Sequence, residues 1–504
     1  MISISQCQTC FILSGKEAAA LIQIESFEEV HFMKRSTKVI SLLIISCMVM
    51  GLVLTACSTG TGTSTATQPT KAPDTAGGND GKQPVKLKFT YWGSPDEKKA
   101  IENACAKFTE KYPWITVETI QIPNSDYNAK LTAMSAGNDI PDTGYMTGDL
   151  GDTWANEGKF VNLFEMFAKD PELKKEDFLD FIWYKLTPDN AWGISTAGEC
   201  FGLYYNKDLL KKAGYDSLPT TAETAMNWDE FVSLCKKVTI DKNGKTAADA
   251  GFDPENIKQY GFMFETWDQP INNFIYSNGG AWASEDGKEF VLNSPEAAEA
   301  IQNLADLINV HHVAPSPLAA KSLPAMNIAL ESGLTAMVLG GQWINLDLGN
   351  AKANYDIGVL PVLKKSITIG LSGATVFFKE SKNPEEAWML FKWMSDPAGA
   401  IELYSDGLWM PTLKKWYTDP ALVAKWVDAN PYAHPAGFKE AMMDQLMKNG
   451  VPQPQYYLKN YAKLAPIVTS SWDQVWLGKK TAAEALAEME PLAKAEYKGR
   501  YDVQ

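Results

Sequence analysis

Short stretches of alternating polar and apolar residues take turns with longer stretches whose apolar residues recur at helical spacing. Residues 85–91 follow the first pattern and predict a strand, and residues 97–112 follow the second and predict a helix. Residues 114–120 predict another strand, and residues 127–136 another helix. Strands and helices that alternate in this way are typical of an α/β fold with a largely parallel sheet.

The alternation continues through the middle of the chain and gives way to helices in the last third. We predict strands at 202–205 and 336–339, a helix at 297–310, and a final helix at 481–497. The chain has 504 residues, which is too many for a single small core. We therefore expect two globular lobes.

The N-terminal segment does not follow the globular pattern. A basic stretch at 33–38 precedes sixteen almost wholly apolar residues at 39–54, which are too few for a membrane span and suit the core of a signal peptide. Glutamates that a signal peptide would not carry lie ahead of the basic stretch: Glu17, Glu25, Glu28 and Glu29. We interpret Met33 as the true start, with the upstream residues a mis-called start; a longer, unusual n-region is the alternative.

The apolar stretch ends in Leu-Thr-Ala-Cys at residues 54–57, which resembles the lipobox of bacterial lipoproteins. The resemblance implies cleavage before Cys57 and a diacylglyceryl group on its thiol. The residues that follow, up to Pro84, are rich in Ser, Thr, Gly and Pro and predict a flexible spacer. We assign residues 1–56 to the upstream extension and signal peptide, and residues 57–84 to the lipidated cysteine and its linker.

The amino-acid composition limits the kinds of molecule that the protein could bind. The formal net charge is −15, which argues against nucleic acid, since a phosphate-binding face needs an excess of Lys and Arg. The chain has 16 Trp, 19 Tyr and 21 Phe but only 4 His. Most aromatic side chains pack in cores, but this balance favours a protein that stacks rings on a ligand over a catalyst.

Motifs for metal, cofactor and catalytic chemistry are missing from the sequence. Cys105, Cys200 and Cys235 are too widely spaced for a zinc motif or a disulfide framework, so we expect buried free thiols, no metal and no cofactor. The sequence contains no G-x-S-x-G elbow, no phosphate-binding G-x-x-x-x-G-K-[ST] loop and no H-E-x-x-H. A secreted glycoside hydrolase stays open as an alternative, because the sequence does not exclude two carboxyls held at a fixed separation, although no acid-pair signature is found.

From about residue 85 to the C-terminus, the chain resembles the extracellular solute-binding proteins of family 1, the maltose-binding-like group. Six motifs carry the resemblance in family order: 135–142, 192–208, 333–343, 370–374, 383–388 and 407–412. The resemblance implies a sugar or oligosaccharide ligand that is delivered to the permease subunits of an ABC importer, and we expect a monomer. A binding protein for a peptide or another solute on the same fold is the alternative.

The resemblance also implies a domain organisation. It predicts two α/β lobes that are joined by crossing strands and close on the ligand by hinge bending. Lobe 1 would comprise residues 85–197 plus 367–415, and lobe 2 residues 198–366 plus 416–504.

The predicted ligand-binding residues combine aromatic faces with planar polar groups, because sugar rings present C–H faces together with hydroxyl groups. The aromatic candidates follow predicted strands or lie in glycine-rich loops: Trp92, Trp267, Trp282, Trp343 and Trp409. Trp343 and Trp409 fall in motifs where the family has stacking aromatics. The polar candidates are Asp149, Asp268, Gln269 and Gln342, with Glu97 as a further one. For each tryptophan a place in a lobe core is the alternative, and for each acid a solvated surface.

Overall fold

The structure is a computed structural model, and it describes residues 82–503, which belong to one compact unit. The predictions for the upstream extension, the signal peptide, Cys57 and nearly all of the linker lie outside the described residues. Within residues 82–503, no helix combines the length and the apolar character needed to cross a bilayer.

The first sheet has six strands in the order β2-β1-β3-β12-β5-β4. These strands are β1 Val85–Tyr91, β2 Ile115–Gln121, β3 Thr143–Met146, β4 Trp183–Thr187, β5 Asn190–Ser195 and β12 Ala374–Phe377. Strands β1, β2 and β3 run parallel, whereas β12 pairs antiparallel with both β3 and β5, and β4 pairs antiparallel with β5. The prediction of a largely parallel sheet is therefore wrong for this sheet, because β12 enters from the other half of the chain in the opposite direction and β4 pairs antiparallel with β5, its neighbour in sequence.

The second sheet has five strands in the order β10-β6-β9-β8-β7. They are β6 Phe201–Asn206, β7 Ile240–Asp241, β8 Ile257–Met263, β9 Thr335–Gly341 and β10 Tyr355–Gly358. Strands β8 and β9 are parallel, and the other pairs are antiparallel. A small parallel pair is formed by β11 Thr368–Gly370 and β13 Gly450–Pro452.

Two neighbouring chain segments connect the sheets. The backbone passes from β5 to β6 through residues 196–200 and returns to β12 through residues 371–373. Glu199 and Leu371 exchange backbone hydrogen bonds at 3.1 and 3.0 Å, and the Thr196 N–H donates to the Gly373 carbonyl at 2.9 Å. The two crossings are therefore paired with each other, as expected of a hinge that moves as one element.

Helices cover the sheets and begin where the sequence supplies caps. Ser94 caps Pro95–Lys111, with Glu97 completing a capping box, and Asn227 and Glu230 do the same for Trp228–Val238. The other helices of seven or more residues are Tyr127–Ala136, Gly148–Asn156, Leu163–Lys169, Asp268–Ser277, Pro295–Asn309, Ile344–Asn350, Pro384–Ser395, Pro420–Trp426, Tyr461–Trp476 and Ala482–Glu496. Shorter ones are Lys207–Lys212, Pro317–Ala320, Met326–Glu331, Glu402–Ser405, Lys415–Thr418 and Gln445–Asn449.

The three cysteines of the described chain are buried and free, which confirms the prediction for Cys105, Cys200 and Cys235. The lobe boundaries stay a prediction. The sheets themselves draw on 85–195 with 374–377, and on 201–358. Gln453 and Tyr456 nevertheless hydrogen-bond to Tyr184 and Ser195 of the first sheet, so the C-terminal region contacts both sheets.

Candidate functional site

An aromatic group lies directly after β1 on the first sheet. The half-buried indole of Trp92 contacts Tyr127 and Tyr145 edge-on, each with its ring centroid 4.9 Å away. A side chain at Gly373 would begin only 2.5 Å from the Trp92 ring, so glycine lets the crossing segment pass close to the indole. Trp92 therefore lies beside the crossing between the two sheets.

Trp409 lies behind this group. Its ring centroid is 6.4 Å from that of Tyr145 and 5.9 Å from that of Tyr404, and only 3% of the residue is exposed. The stacking role predicted for Trp409 stays a prediction. In this arrangement the side chain packs as part of the core.

A second aromatic group lies on the second sheet. The half-buried Trp343, just after β9, meets Phe201 edge-on at 5.7 Å, and Trp267 meets the same ring at 6.1 Å. Trp267 is 38% exposed and donates from its indole N–H to Glu265 at 2.7 Å. Two indoles that retain accessible surface thus flank one phenyl ring.

A buried polar network continues from Trp267 into the second core. The Gln269 amide donates to Asp268 and to the Tyr461 hydroxyl, both at 2.9 Å, and its oxygen accepts from Asn272. The fully buried Trp282 donates to Asn272 at 2.8 Å. The structure therefore gives Trp282 a core role, and its predicted contact with ligand stays a prediction.

Asp268 begins the helix Asp268–Ser277 in this network. Burial raises the pKa of its carboxyl to about 7, although backbone N–H groups at the helix start oppose the rise. A carboxyl of this kind accepts a hydrogen bond readily or holds a proton near neutral pH.

Gln342 joins the end of β9 to two other segments. Its backbone N–H donates to the Cys200 carbonyl at 3.0 Å, and its amide donates to the Gly407 carbonyl at 2.9 Å. The side chain is completely buried, and its oxygen has no hydrogen-bond partner within the described structure. Gln342 therefore ties the end of β9 to the crossing segment at Cys200 and to the loop at Gly407.

Asp149 occupies a different environment. It is exposed at the start of Gly148–Asn156 and accepts from the Asn128 amide at 3.1 and 3.3 Å, while the Thr147 hydroxyl donates to Asn128 at 2.7 Å. The structure gives it no contact with either aromatic group, and its predicted role stays a prediction.

Sequence reasoning missed Glu199, a buried carboxyl in the crossing segment on which the charge of the predicted Glu97 acts. Burial raises the pKa of Glu199 to about 8, with the charge of Glu97 adding to the rise and a Ser372 hydrogen bond opposing it. Burial also raises the pKa of Glu97 to about 7. The hydrogen bond from the Ser94 N–H lowers this pKa, and the charge of Asp347 raises it further. The one sequence feature that could have indicated Glu199 is its position just before the strand at 201–206.

Direct hydrogen bonds join the two sheet regions at the edge of this site. The Ser94 hydroxyl donates to Asp347 at 3.1 Å, and the Asn350 amide donates to Asp96 at 2.7 Å. Among residues 82–503, no group of three or more His, Cys, Asp or Glu side chains is arranged to hold a metal ion.

A separate groove of about 770 Å³ lies along the helices Pro95–Lys111 and Pro384–Ser395. Its walls include Tyr112 and Trp393, and several of its lysines are already paired with carboxylates. None of the predicted ligand-binding residues lines it.

Comparison with known proteins gives these observations a context. Residues 92–401 match the family model described as bacterial extracellular solute-binding protein. The chain belongs to this family. YcjN of Escherichia coli strain K12, named as an ABC transporter periplasmic-binding protein, is 22% identical to the solute-binding protein over 369 residues, which are 69% of this chain and 77% of YcjN.

Solved structures agree on the fold. One of them is an ABC substrate-binding protein from Listeria monocytogenes in complex with cycloalternan, which superposes with a TM-score of 0.69 at 22% sequence identity. The superposed residues make up 82% of this chain and 99% of the Listeria chain. Maltose-bound MalE3 of T. maritima superposes with a TM-score of 0.66 at 20% sequence identity, over 82% of this chain and 99% of the MalE3 chain. The solute-binding protein therefore has the two-lobed α/β fold of the periplasmic binding proteins, with mixed sheets.

Proposed function

We propose that this solute-binding protein captures an oligosaccharide between its two lobes and delivers it to the permease subunits of an ABC importer. The observation that carries the proposal is the pair of half-buried indoles, Trp92 after β1 and Trp343 after β9, one on each sheet. Indoles that keep accessible surface suit the C–H faces of sugar rings. Ligand bound between them would be held by both lobes at once.

Polar groups beside the indoles supply the other half of the recognition. The Glu97 and Glu199 carboxyls would accept hydrogen bonds from sugar hydroxyls. The solved structures support a carbohydrate ligand, since the Listeria protein is in complex with cycloalternan and MalE3 is bound to maltose.

Capture would use hinge bending. We take lobe 1 as residues 85–197 plus 367–415 and lobe 2 as residues 198–366 plus 416–504, joined by the paired crossings at Glu199 and Leu371. Ligand shifts the equilibrium toward the closed form by its greater affinity for that form. The hydrogen bond from Ser94 to Asp347 would be one of the contacts that closure makes.

The protein would work as a monomer at the outer face of the cell membrane. Cys57 would carry the lipid, and residues 58–84 would let the binding lobes move relative to the membrane. This arrangement is that of a Gram-positive cell, which has no periplasm to retain a free binding protein.

A secreted glycoside hydrolase is the second candidate, and one observation favours it. Burial raises the pKa of Glu97 to about 7 and that of Glu199 to about 8, and a carboxyl with such a pKa could act as a general acid. The absence of catalytic sequence motifs and the membership in a family of binding proteins favour binding without turnover.

Titration calorimetry with a panel of oligosaccharides, followed by chromatography of the recovered ligand, separates the two candidates. We expect saturable binding with the ligand recovered intact. Steady release of new reducing ends, above that of a heat-denatured sample, would establish the hydrolase instead.

A further inference from the structure

Trp267 is the most exposed tryptophan of residues 82–503, with 38% of its surface accessible. The ring is not isolated, because it shares Phe201 with the half-buried Trp343, at ring-centroid distances of 6.1 and 5.7 Å. Phe201 begins β6 directly after the crossing segment 196–200. The exposed indole therefore belongs to the aromatic group beside the crossing between the sheets.

Glu265 holds the polar end of this ring. The Trp267 indole N–H donates to the Glu265 carboxylate at 2.7 Å, which is the short distance typical of a hydrogen bond to a charged acceptor. Glu265 precedes Trp267 by two residues, and both side chains are exposed. Because an indole has a single N–H, a ring that is bonded in this way offers a ligand its face and no donor.

The backbone of Trp267 is held from the opposite side. Trp267 immediately precedes the helix Asp268–Ser277, and the first residues of that helix are buried. The Gln269 amide donates to Asp268 and to the Tyr461 hydroxyl, both at 2.9 Å, so the start of the helix is tied to a distant helix. A side chain that is held at its backbone and at its far end has little conformational freedom left to lose when a ligand binds.

We propose that Glu265 is a positioning residue, which holds the Trp267 indole beside Phe201 with one face free for a sugar ring. The proposal rests on the proposed function and adds to it a residue that acts on the sugar only through Trp267. Without the hydrogen bond, the indole must be ordered each time a sugar binds. Loss of the bond should therefore weaken binding roughly 2- to 10-fold, whereas loss of the ring in Trp267→Ala should weaken it roughly 5- to 150-fold.

The first test needs no sugar. In the NMR spectrum of the full chain with isotope-labelled tryptophan, the Trp267 indole N–H signal is identified as the one that Trp267→Phe removes. We expect Glu265→Ala to shift this signal and to speed its exchange with solvent, and Glu265→Gln to preserve most of the bond, because the amide oxygen still accepts. The matched control is Glu285→Ala, which removes another exposed carboxylate and should leave the signal in place. An unshifted signal in Glu265→Ala would overturn the proposal.

The second test separates positioning from a direct effect of charge. Linear gluco-, xylo-, manno- and arabino-oligosaccharides are titrated into the full chain by calorimetry, and the tightest binder is then measured with each variant. We expect Glu265→Ala to weaken binding, Glu265→Gln to restore most of the affinity, and Glu285→Ala to leave it unchanged. Adding Glu265→Ala to Trp267→Phe should cause no further loss, because a phenyl ring has no N–H to hold.

The outcomes distinguish this role from the proposed function. Equal losses in Glu265→Ala and Glu265→Gln, or a further loss when Glu265→Ala is added to Trp267→Phe, would show that Glu265 acts on the sugar directly. Either result would overturn the positioning role and leave saccharide binding intact. Failure of every oligosaccharide to bind the unmodified chain would overturn the proposed function, and the role of Glu265 in sugar binding with it.

Discussion

The indole of Trp343 stands edge-on to the phenyl ring of Phe201, with the ring centroids 5.7 Å apart and the planes at 78°. This contact fixes the position of the indole without burying it completely, since Trp343 remains half-buried. A ring held by its edge keeps a face for another partner. Phe201 thus supports Trp343 from within the second lobe.

Replacing Trp343 with Ala should weaken sugar binding more than folding. Loss of a stacked ring costs about 1–3 kcal/mol of binding, which is a loss of affinity of roughly 5- to 150-fold. The matched control is Trp282→Ala, because Trp282 is fully buried and should cost about 3–5 kcal/mol of unfolding free energy. Calorimetry and thermal melting of both variants check this. A large drop in melting temperature for Trp343→Ala, with normal affinity of the folded fraction, would return Trp343 to the core.

Trp409 should behave as a core residue in the same measurements. Its contacts with Tyr145 and Tyr404 and its 3% exposure predict that Trp409→Ala costs about 3–5 kcal/mol of unfolding free energy. Chemical denaturation measures this cost. A variant of normal stability with much weaker sugar binding would instead support the stacking role that the motif predicts.

Asp170 should stabilise the first lobe in a pH-dependent manner. Burial alone would raise the pKa of its carboxyl, but hydrogen bonds from Trp388 and from the Glu172 and Leu173 N–H groups, with Lys392 nearby, lower it to about 2. Because the folded pKa lies below the usual 3.8, the stabilisation is complete above about pH 4 and is lost as the pH falls toward 2.

Asp170→Asn should therefore lose about 2 kcal/mol of unfolding free energy at pH 7, and less as the pH falls below 4. Denaturant titrations at several pH values give the comparison. The control is Glu172→Gln, whose exposed side chain also pairs with Lys392 and should cost no more than about 0.5 kcal/mol. A pH-independent loss in Asp170→Asn would show that shape, not charge, explains the effect.

Replacing Cys57 with Ala should release the protein from the membrane. The lipobox cysteine is the attachment point of the proposed anchor, so the variant should move from the membrane fraction to the medium. Fractionation of cells that express each form measures the distribution. Retention of the variant in the membrane fraction would contradict lipid attachment at this residue.

The local sequence pattern predicted several elements closely. The strand 85–91 and the helix 127–136 have the predicted bounds, and the helix predicted at 297–310 is Pro295–Asn309. These elements depend on periodicity and caps within a few residues. The direction of the strands was harder to predict. Strand β12 lies about two hundred residues further along the chain than its neighbours β3 and β5, and it pairs antiparallel with both.

The candidate site was harder still to predict from the sequence, because it is built from contacts between distant segments. Trp282 and Trp343 look alike in sequence, each standing two residues after a Gly-Gly pair, yet Trp282 is fully buried and Trp343 half-buried. Glu199 lies where the chain crosses between the sheets, and the charge of Glu97 acts on its carboxyl there. The hydrophobic periodicity of the sequence does not predict this interaction, since the two residues are about a hundred positions apart.

Calorimetric titration of the purified lobes, residues 82–504, with an oligosaccharide panel tests the central claim most directly when the recovered ligand is examined in the same experiment. We predict saturable one-to-one binding of at least one oligosaccharide, weakened roughly 5- to 150-fold by Trp343→Ala, with the sugar recovered unchanged. Saturable binding that Trp343→Ala leaves unaltered, or a ligand recovered as shorter sugars, would contradict capture of an intact oligosaccharide at this site.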